Sequence, residues 1–211
     1  MNPRLQVEAS FYLRNKLETR GRFTSYWHQL DELIRLNPEN ILEIGVGDRF
    51  MSKYLRDRGG MQVTTLDIDA ALQPDVAGSV LAIPFAEGSF RAVACFEVLE
   101  HLPYDQFGTA LAEIRRVSNR HVVLSLPDAR RVFRIQGRLP WIGRFQKMTS
   151  FLPGLKPPGL PPDGYHFWEI GVRGYALDQI QSHIEHVGFR ILRTYQNYDY
   201  VRHRFFVLEK R

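Results

Sequence analysis

The sequence predicts an α/β domain: a doubly wound, mostly parallel sheet of seven strands with an antiparallel edge. Three observations carry this. Short apolar runs alternate with stretches whose apolar residues recur at three- and four-residue steps, the pattern of buried strands covered on both faces by helices. The first run, Ile41-Leu42-Glu43-Ile44, opens into a Gly-x-Gly turn at Gly45 and Gly47, after which helical spacing resumes over Met51–Arg58. Two late runs, 189–195 and 203–208, flank a polar turn at Gln196–Asp199 and so pair antiparallel.

The elements follow in order. Residues 4–18 and 24–36 read as helices, the second with Tyr26, Leu30, Leu33 and Ile34 on one face. Strand one covers 40–44 and a helix 50–58. Strand two, Gln62–Leu66, stops at Asp67, and a short third strand lies near Asp75–Val80. Strand four is Ala92–Phe96. Pro103 opens a helix in which Phe107, Leu111, Ile114 and Val117 share a face. Strand five is His121–Leu126, and an irregular, proline-rich stretch fills 127–168. A helix over 175–187 turns Ile180, Ile184 and Val187 inward. The chain of 211 residues is long enough for one such domain with a full core. It divides into N-terminal helices (1–37), a core (38–126), an insertion (127–168) and a closing helix and strands (169–211).

Composition excludes some classes. No apolar run approaches the roughly 20 residues of a membrane helix, and the N-terminal Met-Asn-Pro-Arg-Leu-Gln-Val-Glu lacks the apolar core of a signal peptide. The single cysteine, Cys95, falls in an apolar strand, which fits a reducing cytoplasm as the expected location. A net charge of +5 is modest but uneven: Ala129–Ser150 holds five arginines, one lysine and no acid.

Strand, glycine turn and helix N-terminus together make a nucleotide-type cradle, in which Gly45 and Gly47 let the backbone approach a ligand closely. A dinucleotide site needs a third glycine two or three places on, to set a diphosphate on the helix dipole. Asp48 and Arg49 stand there instead. Asp48 would repel a diphosphate and serves as an N-cap. The cradle therefore suits a ligand without phosphates, such as S-adenosylmethionine. Asp67 sits where a carboxylate can accept both ribose hydroxyls; a helix cap is its alternative role, shared with Asp69.

Taken together these residues resemble the class I S-adenosylmethionine-dependent methyltransferases, the type 11-like subgroup with an acid-x-Gly-x-Gly first motif. Leu-Ala-Ile-Pro-Phe-Ala-Glu-Gly-Ser-Phe (81–90) and Glu-Val-Leu-Glu-His-Leu-Pro (97–103) extend the resemblance over about 25–126. It implies a Rossmann-like fold, S-adenosylmethionine as cofactor, and cofactor contacts from Glu43, Gly45, Gly47, Asp67, Ile68, Ser79, Val80, Leu81, Phe96 and Glu97. Three departures stand out. Arg49 replaces a frequent third glycine, Ser79 replaces the acid that often bonds the adenine, and Val-Ser-Asn-Arg-His after Arg116 replaces a Pro-Gly-Gly turn.

Glu97-Val-Leu-Glu100-His101 brings two carboxylates and an imidazole to one strand end. Two subgroups with Glu-x-x-Glu-His, the ubiquinone-pathway O-methyltransferases and the small-RNA 3′-terminal 2′-O-methyltransferases, bind a divalent cation with it. The second adds a histidine from a late segment, loosely matched here by His166-Phe-Trp-Glu169. The resemblance thus offers Glu97, Glu100, His101 and His166 as ligands for Mg2+, which would polarise a substrate hydroxyl. Without a metal, Glu100 caps a helix and His101 or His166 accepts the proton. Either way Glu100, His101 and His166 are the catalytic candidates.

The insertion interleaves Val132, Phe133, Ile135, Leu139, Trp141, Ile142 and Phe145 with basic residues. It reads either as a substrate lid with solvated arginines or as a segment meeting an anionic acceptor or a membrane surface at 129–150. The leading functional expectation is transfer of a methyl group to an oxygen of a small molecule, glycan or lipid-linked intermediate. Alternatives are a metal-assisted RNA 2′-O-methyltransferase, a non-catalytic domain keeping the cofactor fold, and an NAD-dependent dehydrogenase. No RNA-binding module is visible, and the missing third glycine disfavours the last.

Overall fold

The computed structural model describes residues 19–57, 60–141, 143–149, 158–160 and 164–211. The expected helix at 4–18, and within the proline-rich stretch Ile142 and residues 150–157 and 161–163, fall outside them. The elements are α1 (Arg20–Leu36), β1 (Asn40–Ile44), α2 (Phe50–Asp57), β2 (Gln62–Asp67), β3 (Val76–Ala77), β4 (Phe90–Phe96), α3 (Phe107–Val117), β5 (Ser118–Pro127), β6 (Phe133–Leu139), β7 (Gly143–Thr149), α4 (Leu177–His186), β8 (Phe189–Gln196) and β9 (His203–Lys210).

Seven strands form one sheet in the order β3-β2-β1-β4-β5-β9-β8. β1 pairs parallel with β2 and β4, and β4 with β5, whereas β9 runs antiparallel to both β5 and β8. The antiparallel edge is thus made by β9, which lies one place inside β8. The order changes direction between β1 and β4, which sets a crevice beyond their carboxyl ends.

Alternation along the strands fills both faces. Leu42, Ile44, Val93, Cys95, Val122 and Leu124 face Phe107, Leu111 and Ile114 of α3 and Ile180 and Ile184 of α4. Ile41, Val63, Ala92, Ala94 and Val123 face Leu33 of α1 and Met51 and Leu55 of α2. Leu111 is fully enclosed, so its truncation to alanine would cost about 2–5 kcal/mol.

Two expectations are corrected. Ile34 is 47% exposed, while Ser25, Gln29 and Glu32 of α1 are buried beside Leu33. The helix turns this partly polar stripe inward because it packs on polar β8: Glu32 accepts from Tyr195 Oη at 2.8 Å and pairs with the Arg193 guanidinium. The stretch 127–168 is also not wholly irregular. β6 and β7 form a separate two-stranded antiparallel hairpin, closed at its tip by the pairing of Leu139 with Gly143. Where a Pro-Gly-Gly turn is common, α3 runs straight into β5 at Ser118.

Candidate functional site

The glycine turn is held by main-chain geometry. Gly45 has φ +82° and Gly47 φ +49°, conformations that glycine adopts without strain. A Cβ at Gly45 would collide with Val98 Cγ2, so the position is closed sterically as well. Gly45 N donates to Leu66 O at 2.9 Å, which ties the turn to β2. Arg49 keeps the left-handed conformation of the glycine it replaces, with φ +63°. Asp48 Oδ1 accepts from Phe50 N at 3.1 Å, the expected capping role at α2, and its other oxygen pairs with the Tyr26 hydroxyl. Tyr26 stacks on Phe50 at 4.7 Å between centroids, so α1 covers the outside of the turn.

Asp67 and Asp69 divide the roles left open by the sequence. Asp69 Oδ1 accepts from Ala71 N and caps the short turn that follows. Asp67 Oδ2 accepts from Val46 N at 2.8 Å and its Oδ1 from Asp69 N at 2.9 Å. Each oxygen retains a lone pair for another donor, such as a ribose hydroxyl. Ile68 beside it is 42% exposed, Val80 is buried, and Ser79 Oγ accepts from Leu81 N at 3.2 Å. Glu43 points beneath α2 toward Ser52. Burial pushes its carboxyl up to about 8, and Oε2 has no hydrogen-bond partner among the described residues. A glycine cradle, a ribose-ready carboxylate and an orphaned acid that a nearby ammonium would satisfy fit S-adenosylmethionine, whereas the Asp48 carboxylate beside the turn would repel a diphosphate.

The second cluster stands at the end of β4. Glu97 has φ +53°, a strained conformation for a side chain of this kind that re-aims the chain into the next turn. Glu100 is fully buried, and neither carboxyl oxygen has a hydrogen-bond partner among the described residues. Burial first, then the Glu97 charge, raises Glu100 well above the usual carboxylate range; burial also raises Glu97. The segment carrying His166 is drawn in by Phe167 N donating to Glu100 O at 2.9 Å and by Trp168 Nε1 donating to Leu102 O at 3.1 Å. The rings of His101 and His166 then meet at 5.0 Å. His101 Nδ1 lies 2.7 Å from Tyr165 O, which can only accept, so Nδ1 carries the hydrogen and Nε2 the lone pair. His166 Nδ1 is oriented likewise by Glu169 Oε1 at 2.6 Å.

One ligand atom each from Glu100, His101 and His166 falls within 4.8 Å of the others. Glu97, the fourth expected ligand, is not in this group. Its Oε2 lies 3.3 Å from His203 Nε2, and His203 Nδ1 lies 2.8 Å from Ser25 Oγ. Burial holds His203 neutral, pushed down to about 3. Ser25 and His203 escape sequence reasoning because neither sits in a motif: one arrives on α1, the other on the reversed β9. Their polar Ser-Tyr and Arg-His-Arg contexts carry no periodic signal.

Residues 42–126 match the family model described as a methyltransferase domain. No curated protein sequence matches the chain. Among solved structures, the 1,6-didemethyltoxoflavin-N1-methyltransferase of Burkholderia thailandensis, bound to 1,6-didemethyltoxoflavin and S-adenosylhomocysteine, is 14% identical with a TM-score of 0.61, covering 95% of this chain and 84% of its own. Magnesium protoporphyrin IX methyltransferase of Synechocystis PCC 6803 is 14% identical at 0.60, covering 93% and 88%. The [4+2]-cyclase SpnF is also similar, 12% identical at 0.60, covering 93% and 84%, so this fold also carries other chemistry. The family match spans the glycine turn, Asp67 and the β4 terminus, so residues 42–126 are similar to a methyltransferase domain, set in a Rossmann-like fold that the solved methyltransferases share.

Proposed function

We propose that the protein methylates a hydroxyl oxygen of a small-molecule, glycan or lipid-linked acceptor, at the end of β4. When bound, S-adenosylmethionine supplies a methyl group already activated on a sulfonium. The chain's own residues then have two tasks, alignment and proton removal. Glu43, Gly45, Gly47, Asp67, Ile68, Ser79, Val80, Leu81, Phe96 and Glu97 bind and orient the cofactor. His101 or His166 takes the acceptor proton on Nε2, since a neutral imidazole suits pH 7. The observation that carries the reading is the pair of imidazoles, each with Nδ1 anchored, meeting beside Glu100. The segment 127–168 is read as the acceptor-side insertion. Neighbours acting on didemethyltoxoflavin and on magnesium protoporphyrin support a small-molecule acceptor.

Calorimetry with S-adenosylhomocysteine tests the cofactor half: wild type gives a heat of binding that Asp67→Ala loses, and no heat from wild type overturns the proposal. Transfer of labelled methyl to a panel of hydroxyl and amine acceptors tests the oxygen preference; label carried only by amines overturns that part.

A second reading is favoured by the 4.8 Å grouping of Glu100, His101 and His166. Those residues could hold a divalent cation, whose chemistry would lower the pKa of a coordinated hydroxyl. One carboxylate and two imidazoles suit manganese, iron or zinc better than the expected Mg2+, which takes oxygen ligands.

A further inference from the structure

The hairpin of β6 and β7 is amphipathic in a direction that leaves its apolar side in water. Residues directly opposite in an antiparallel ladder share a face. One face carries Phe133 opposite Thr149, Ile135 opposite Lys147, Gly137 opposite Phe145 and Leu139 opposite Gly143. The Phe145 ring lies over Gly137, where a Cβ would come within 2.8 Å of it, so the face is continuous across the ladder. The other face carries Arg134 opposite Met148, Gln136 opposite Gln146 and Arg138 opposite Arg144. Away from the tip it is the polar face that meets the domain: Arg134 Nη1 donates to Tyr198 O at 2.6 Å, and Gln146 borders a cavity with Phe23 and Trp27 of α1, whereas Arg138 and Arg144 beside the tip are exposed.

The apolar residues are left outside. Phe133 is 56% exposed, Ile135 48% and Leu139 46%, and Trp141 at the tip is 97% exposed. A two-stranded ribbon whose apolar face stays in water is marginal and gains from a surface to lie on. The charge says which surface. Arg138 and Arg144 stand directly across the ladder with no acid anywhere in 129–150 to offset them, an arrangement that repels unless anions sit between them. Apolar insertion at a tip flanked by paired arginines matches a bilayer interface with anionic headgroups. RNA would use Trp141 and the arginines, but it has no use for exposed Ile135 and Leu139.

We infer that the β6–β7 hairpin is a membrane-docking element that lays Trp141, Leu139 and Ile135 into the interface of an anionic bilayer while Arg138 and Arg144 hold headgroup phosphates. Co-flotation of the purified chain with vesicles of phosphatidylcholine, with and without phosphatidylglycerol, tests this. Wild type floats with the anionic vesicles, is released by salt, and shows a blue shift of tryptophan emission that Trp141→Phe abolishes. Arg138→Gln with Arg144→Gln weakens flotation about thirtyfold and Trp141→Ser about tenfold, with unchanged thermal unfolding midpoints because these side chains pack on no core. Wild type that stays unbound from anionic vesicles overturns the inference. So does binding that survives both variants, or an unstructured RNA that displaces the vesicles at equal charge.

Discussion

The two ends of the crevice are built by opposite means. Around β1 and β2 the ligand-facing surface is main chain: a turn fixed by Gly45 and Gly47, with Asp67 locked by two backbone N–H groups. Around β4 it is side chain: Glu97 and the buried Glu100, Ser25 from α1, and histidines from β9, the β4 end and the segment before α4. A backbone cradle tolerates few sequences and suits the group common to all reactions of the fold. A side-chain cluster can be exchanged residue by residue, and it is where an acceptor is chosen. Under the proposed function, the constant ligand and the variable one would thus be recognised by different kinds of structure.

Lesions at the two ends should therefore fail differently. The largest expected effect is on turnover: His166→Ala lowers kcat by about 10²–10³ while the dissociation constant for S-adenosylhomocysteine, measured by calorimetry, stays within twofold. Asp67→Ala does the reverse, weakening cofactor binding about a hundredfold, about 2.7 kcal/mol, because Val46 N and Asp69 N also lose their acceptor.

Glu43 extends the contrast to pH. Its carboxyl is raised from an ordinary 4.5 to about 8, so between those values the folded state keeps a proton that the unfolded state has lost. Stability should fall as pH climbs from 4.5 to about 8 and level off above, by up to about 5 kcal/mol. Glu43→Gln should flatten that slope in denaturant titrations, and an unchanged slope would place the linkage on Glu97 and Glu100 instead. Glu169→Gln acts through the His166 ring, lowering kcat about tenfold and shifting the acid limb of its pH profile. The smallest effect is expected at Arg49, held at φ +63°. Arg49→Gly should raise stability by about 0.5–1 kcal/mol, read as a higher unfolding midpoint.

The same contrast decides what the sequence reveals. The cradle is legible because a strand, two glycines and an acid are local, and the helix faces of Leu111 and Ile184 because burial there is periodic. Ile34 misleads because α1 buries Glu32 against Arg193 and Tyr195, partners far along the chain. The hairpin is hidden because its alternation keeps neither side buried, so no hydrophobic period marks it. Glu97, expected beside His101 as a ligand, turns to His203, a partner brought there by the long-range pairing of β9 with β5.

That pairing has a consequence for how the molecule is made. β9 is inserted between two strands that precede it in the chain, and it brings His203 to Glu97 and Arg204 to Asp128. A ribosome-bound intermediate can assemble the glycine turn early, yet its second ligand wall stays open until translation has passed β9. Under the proposed function, the acceptor end of the site is thus completed only by a late, long-range pairing.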